Sequence, residues 1–177
     1  TTPTVSQMNC DNTVLARANP PGGVTWYWQS SSSGTSTSNS AATVTRSNGS
    51  VYYLRARSSA GCWSTSSASI SYSINYAPGT PLAPTVENFC GSTVLTKLAP
   101  PPTSDLTYYW QTTAAGTSTA NTAPQMTFTS GTQYFIKAQD DNSGCWGPAY
   151  TINYVVNSVP TIPPAPTVTN NCGNTVL

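Results

Sequence analysis

The most reactive side chains in this sequence belong to its five cysteines, since the 177 residues include no histidine. Without histidine the chain lacks the commonest general base and the commonest metal ligand. Cysteines in a chain rich in serine and threonine and poor in charge indicate an oxidising compartment, where disulfides form and persist. The cysteines that we expect in disulfides are Cys10, Cys62, Cys90 and Cys145.

An internal repeat with a period of about 82 residues accounts for the odd number of cysteines. The segment Cys-Gly-Ser-Thr-Val-Leu at 90–95 matches 10–15 and, almost residue for residue, 172–177. Tyr-Trp-Gln at 27–29 returns at 109–111, and Gly-Cys-Trp at 61–63 returns at 144–146. The chain therefore holds two complete repeats and the opening of a third, to which Cys172 belongs.

Proline-rich segments separate the repeats. The stretches 77–84 and 159–166 contain three and four prolines, a density that favours extended, semi-rigid spacers. We predict a first domain at residues 1–77 and a second at 78–158, followed by a linker and the start of a truncated third repeat at 159–177.

The hydrophobic pattern within each repeat has the period of a β-strand. Tyr52, Leu54 and Ala56 alternate with polar or exposed partners, which is typical of a half-buried antiparallel strand. The first repeat is expected to form strands near 3–5, 13–18, 25–29, 42–46, 51–57 and 70–76, with a further short strand in 30–40. Six or seven short strands with a central tryptophan and two cysteines predict an all-β chain of tandem immunoglobulin-like β-sandwich domains joined by Pro-rich linkers. Trp28 and Trp110 should lie in the two cores.

Aromatic residues beside cations on the outward strand faces form a candidate ligand face. Such a face could stack against sugar rings, or its residues could serve only as cross-strand pairs that stabilise the sheet. The residues concerned are Tyr27, Tyr53 and Arg55 in the first repeat and Tyr109, Phe135 and Lys137 in the second.

Other kinds of site are not expected. The acidic cluster at 140–142 offers too few oxygen ligands for calcium, and the first repeat lacks it. The net charge of +1 provides no basic patch for nucleic acid, and no apolar run reaches the length that crosses a bilayer. No catalytic motif is present. We predict a chain that is not an enzyme, with no metal and no cofactor.

The sequence allows two disulfide pairings. Pairing within each repeat, Cys10–Cys62 and Cys90–Cys145, closes loops of about 50 residues and is the simpler framework, so it is our expectation. Strand directions, however, put the two cysteines of one repeat at opposite ends of a sandwich. This leaves open the alternative that Cys10 of one repeat bonds Cys145 of the next.

The combined motifs, Cys-Gly-Ser-Thr-Val-Leu, Tyr-Tyr-Trp-Gln, Gly-Thr-Ser-Thr and Gly-Cys-Trp, resemble the Ig-like repeat modules of large secreted and cell-surface proteins of Bacteroidota. That resemblance implies export by type IX secretion and adhesin-like roles linked to gliding motility and surface filaments. The expected function is a non-catalytic structural or adhesive segment of a long secreted or cell-surface repeat protein. Its partners would be neighbouring repeats of the same chain, surface polysaccharide or other filament subunits. The alternative is a glycan-binding module attached to a secreted enzyme.

Overall fold

The computed structural model describes residues 2–176 and is all-β, with no helix among them. The first six strands are β1 Thr4–Asn9, β2 Asn12–Ala16, β3 Val24–Gln29, β4 Thr43–Arg46, β5 Val51–Ser58 and β6 Ala68–Ser71. The next six are β7 Thr85–Phe89, β8 Ser92–Thr96, β9 Leu106–Gln111, β10 Gln125–Phe128, β11 Gln133–Asp140 and β12 Tyr150–Asn153. A last hairpin consists of β13 Thr169–Asn171 and β14 Asn174–Val176. Leu177, the final residue of the third repeat's motif, lies outside the described residues.

One strand arrangement occurs twice. Strands β1 to β6, which we call the first unit, form the three-stranded sheets β1-β2-β4 and β3-β5-β6. Strands β7 to β12, the second unit, form β7-β8-β10 and β9-β11-β12 in the same relative order. Every pairing between these strands is antiparallel. The two units therefore repeat one topology, and the period-two reading of the sequence is confirmed by an all-β chain of several sheets.

Each unit has its own hydrophobic core, to which both of its sheets contribute. In the first unit, Leu15 of β2 packs with Trp28 of β3 and Leu54 of β5. In the second unit, Leu95 of β8 packs with Trp110 of β9 and Ile136 of β11. Trp28 and Trp110 are 1% and 2% exposed, so their predicted place in the core is confirmed.

The edge strands β4 and β6 have only four residues each. Strand β6 ends at Ser71, so the strand predicted at 70–76 is correct only at its start. Within residues 72–76 the chain forms one isolated bridge, between Asn75 and Cys10, rather than a continuous ladder. No helix that could cross a membrane is found in the described part of the chain.

Candidate functional site: the aromatic faces and the bridge between the units

The aromatic face of the first unit is built on the central pairing of β3 with β5. Tyr27 lies opposite Arg55 in this ladder, on the side of the sheet away from the core. Trp63, which follows Cys62, packs against Tyr27 with ring centroids 5.6 Å apart and planes tilted by 58°. The guanidinium carbons of Arg55 and Arg57 lie 5.5 and 5.8 Å from the Trp63 ring centroid. Trp63 thus joins the face, although sequence reasoning did not include it.

The second unit repeats this cluster with a lysine. Tyr109 lies opposite Lys137, and the Trp146 ring packs against Tyr109 at 5.3 Å with a tilt of 54°. The Lys137 ammonium lies 5.6 Å from the Trp146 centroid, and the lysine is only 8% exposed. A cation over an indole face is attracted by the ring quadrupole. In both units the aromatic rings and cations therefore contact one another.

Tyr53 and Phe135 lie at the edge of these clusters. They pair with Gln29 and Gln111 in the strand ladders and are both half-buried. The structure thus brings Tyr27 and Arg55 together with Trp63, and Tyr109 and Lys137 together with Trp146. Tyr53 and Phe135 are neighbours of these groups along the same strands.

A serine-rich loop lies on the outer side of β3 and is held there by Gln29. The Gln29 amide is 2% exposed; its Nε2 donates to the Ser36 carbonyl at 2.6 Å, and Ser36 N donates to its Oε1 at 3.0 Å. Arg55 Nη1 donates to the carbonyls of Ser33 and Gly34, at 2.8 and 2.9 Å. No strand lies within residues 30–40, so that expectation was wrong. The side chains of Gln29 and Arg55 bond the backbone of Ser33, Gly34 and Ser36 in place of a strand ladder.

We call this pair of hydrogen bonds from a buried glutamine to the loop backbone the loop clamp, and the second unit has the same one. Gln111 Nε2 donates to the Ser118 carbonyl at 2.7 Å, and Ser118 N donates to Gln111 Oε1 at 3.0 Å. A Cβ on Gly34 or Gly116 would lie 2.6 Å from the Oε1 of its glutamine, so these glycines let the loop approach. The repeated Gln and Gly of the sequence motifs are parts of one clamp.

The disulfide of this chain joins the two units. Cys10, in the turn between β1 and β2, is bonded to Cys145, in the hairpin after β11, with Cα atoms 5.6 Å apart. The two residues are 135 positions apart in sequence. Our expectation of pairing within each repeat was wrong, and the alternative across the linker is the one that the structure contains.

The positions of the cysteines within a unit explain this pairing. Cys10 forms a β-bridge with Asn75. Because β6 runs antiparallel to β5 and Ser71 pairs with Val51, the residues after β6, including Asn75, lie past the first residue of β5. Cys62 lies beyond the other end of β5, where Ser58 N donates to its carbonyl. An eight-residue strand spans about 23 Å, whereas bonded cysteines need Cα atoms within about 7 Å. Cys10 and Cys62 of one unit therefore cannot meet.

Backbone contacts surround the bridge. Cys145 is 2% exposed, and Gly147 nearby is buried against the linker. A Cβ on Gly147 would meet the carbonyl oxygen of Pro78, so only glycine fits this approach. On the other side, Asp11 accepts from Ala77 N at 3.0 Å through its Oδ1. The hairpin of the second unit is thus seated on the end of the first unit and on the segment that connects them.

The acidic cluster of the sequence lies in this hairpin. Asp140 Oδ1 accepts from Ser143 Oγ at 2.7 Å and from the backbone N–H groups of Ser143 and Asn142 at 2.7 and 3.2 Å. These bonds, the Ser143 hydroxyl first, hold the pKa of Asp140 below its ordinary value. The carboxylate therefore orders its own turn. Among the described residues, no three His, Cys, Asp or Glu side chains are grouped as a metal site would require.

Three further cysteines, Cys62, Cys90 and Cys172, are exposed thiols with no bond to another described residue.

No protein-family model matches the chain, and no curated protein matches it. Among solved structures, the chain is similar to the FN1–FN3 domains of chicken CNTN1, with 14% identity and a TM-score of 0.39. The likeness covers 88% of this chain and 66% of that one, slightly less than two thirds of its length.

Proposed function

We propose that this chain is a non-catalytic structural segment of a long secreted or cell-surface repeat protein. In this proposal its units are tandem immunoglobulin-like sandwiches, joined by Pro-rich linkers and acting as a spacer or adhesive stalk. The observation that carries the proposal is the Cys10–Cys145 bond, which joins successive units rather than stapling one core.

A bond between units has a different physical consequence from a bond inside one. Each unit already has a core with a fully buried tryptophan, so neither relies on the bond to bring its own sheets together. Two connections, the linker and the disulfide, leave the units far less freedom to reorient than a linker alone. Fixed spacing between modules is what a stalk or filament segment needs.

The chemistry of the bond supports an extracellular location. Disulfides persist in oxidising compartments and are rare in the reducing cytosol. The low charge of the chain, with 6% charged residues, agrees with a surface made of Ser, Thr, Asn and Tyr. Export by type IX secretion and a link to gliding motility are implied by the sequence resemblance alone.

The glycan-binding alternative would need open ring faces, on which sugars stack. Here Tyr27 and Tyr109 pack against Trp63 and Trp146, whose faces are approached by Arg55, Arg57 and Lys137. This mutual packing is typical of aromatic residues that stabilise a sheet. It supports the spacer over the lectin.

Small-angle scattering on the oxidised chain tests the proposal. We expect an elongated particle whose maximum dimension changes little between preparations, with a wider spread of dimensions after reduction. A compact particle in the oxidised state would contradict the spacer function. Polysaccharide arrays give the second arm: specific binding that is lost in Tyr27→Ala, with Tyr76→Ala as an exposed control, would establish the alternative instead.

A further inference from the structure

The second unit carries, at its far end, the same cysteine environment that receives the bond in the first unit. Cys10 and Cys90 each form a parallel bridge with an asparagine, Asn75 and Asn157. The residue after each cysteine has positive φ, 66° in Asp11 and 81° in Gly91. Its N–H donates to that asparagine's carbonyl, at 2.6 and 2.7 Å respectively. The backbone therefore has the same geometry around Cys10 and Cys90. Cys10 is bonded to Cys145, whereas Cys90 is a free, exposed thiol.

The surroundings of Cys90 also match a surface that another unit covers. An open cleft of about 450 Å³ lies beside it, lined by Gly91 and by residues 129–132 and 155–159. Val155 and Val159 on this cleft are 62% and 64% exposed. Pro160 occupies the sequence position of Pro78, against which Gly147 is seated at the first junction. The chain then continues into a third repeat, whose first hairpin is β13–β14.

We propose that Cys90 is a bridge site for the following repeat, bonded to the cysteine in the Gly-Cys-Trp hairpin of a third unit. This inference rests on the proposed function, since it requires an array of such units. The occupant is the next unit of the same polypeptide, delivered by the linker at 159–166. The two units described here and the third unit would then be joined by one disulfide at each junction, from the first turn of one unit to the hairpin after the fifth strand of the following unit.

The bond requires an oxidant. Two thiols lose two protons and two electrons as the S–S bond forms, and a disulfide of the compartment, such as oxidised glutathione, takes them up and becomes two thiols. Exchange passes through a mixed disulfide, so an exposed thiol such as Cys90 can react first and be resolved by the incoming cysteine.

No corresponding bond is proposed for Cys62, because the hairpin that contains it differs from the Cys145 hairpin. Ser64 stands after Cys62-Trp63 where Gly147 stands after Cys145-Trp146. The Cβ of a serine there would meet the linker carbonyl that Gly147 avoids. We therefore infer that a third unit that bonds Cys90 has glycine after its Cys-Trp.

The test extends the whole chain by one unit of its own sequence. Residues 96–158 are repeated after Leu177, which completes the third repeat and supplies a second copy of the Cys145 hairpin. After refolding in a glutathione buffer, mass spectrometry of non-reduced peptides should find Cys90 bonded to the added copy of Cys145. Maleimide labelling of Cys90 should fall from nearly complete in the 177-residue chain to nearly none. A folded extended chain with free Cys90, or with Cys90 bonded to Cys62 or Cys172, would overturn the inference.

A second variant guards against failure of the extended chain to fold. Two copies of residues 85–158, joined by residues 159–166, recreate only the proposed junction, and the same bond is expected between Cys90 of the first copy and Cys145 of the second. Scattering on the same samples separates the two proposals. Elongated particles with free Cys90 refute this inference and leave the spacer function standing, whereas compact particles refute the spacer function whatever the bonding.

Discussion

Removal of the Cys10–Cys145 bond should destabilise both units at once. The change is Cys10→Ser in a chain whose three free cysteines are already serine, so that Cys145 has no other thiol to pair with. The chain with only those three substitutions is the matched control. Because the replaced thiols are exposed and unbonded, this control should unfold as the native chain does.

The magnitude follows from the loops that the bond closes. If the second unit unfolds while the first stays folded, Cys10 remains beside Asn75, and the loop runs from Asn75 to Cys145, about 70 residues. If the first unit unfolds instead, the loop runs from Cys10 to Pro78, which Gly147 contacts, and is of similar length. Loop-closure entropy for about 70 residues is worth roughly 4 kcal/mol at 25 °C. Each unit should therefore lose about 4 kcal/mol, a fall in Tm of more than about 10 °C.

Hydrogen exchange with mass spectrometry under increasing urea measures the two units separately. Amides of β5 report on the first unit and amides of β11 on the second. Both sets should lose protection at lower urea in the Cys10→Ser chain, by similar amounts. A loss confined to β5 would refute the reasoning, because only a bond within the first unit would act on that unit alone.

Three smaller effects are expected. Gln29→Ala should destabilise the first unit by roughly 1–3 kcal/mol in urea unfolding, since it removes two hydrogen bonds to the Ser36 backbone, each worth about 0.5–1.5 kcal/mol, while Gln7→Ala on an exposed strand should have no effect. Gly147→Ala should lower the yield of the Cys10–Cys145 bond at a fixed glutathione ratio, measured by non-reduced peptide mapping, while Gly79→Ala, whose Cβ meets nothing within 4 Å, should not. The lowered pKa of Asp140 stabilises its hairpin above the unfolded pKa of about 4, and this contribution is lost as pH falls through the folded value. Exchange of hairpin amides between pH 5 and pH 2 should show that loss, and Asp140→Asn should remove the pH dependence.

The strands and cores could be predicted because local patterns determine them. The alternation of side chains in β5 determines which of them face the core. Trp28 is buried because burying its large apolar surface is strongly favourable. The sequence alone located these elements because each depends on neighbours within a few residues.

The disulfide pairing could not be settled in the same way. It depends on which end of a strand each cysteine occupies and on what the next unit brings to that end, and neither is a local property. The direction of β5 did contain the needed signal, since it separates Cys10 from Cys62 by the length of a strand.

The loop clamp was missed for another reason. Gln29 lies on an outward position, where the hydrophobic pattern predicts only exposure, yet it is 2% exposed because the loop folds onto it. The available signal was the repeated spacing of five residues from Gln29 to Gly34 and from Gln111 to Gly116.

The bond between the units also determines how the chain responds to tension. When the ends of the polypeptide are pulled apart, force passes from Cys10 through the sulfur atoms directly to Cys145, and the 135 positions between them are bypassed. Fully extended, that stretch would add roughly 450 Å to the chain. Both cores lie largely within residues 10–145, so most of the extension that unfolding of the two units could give is unavailable until the bond is reduced. Under oxidising conditions the two units should behave as a nearly inextensible tie, and a reductant should convert them into a long, compliant tether.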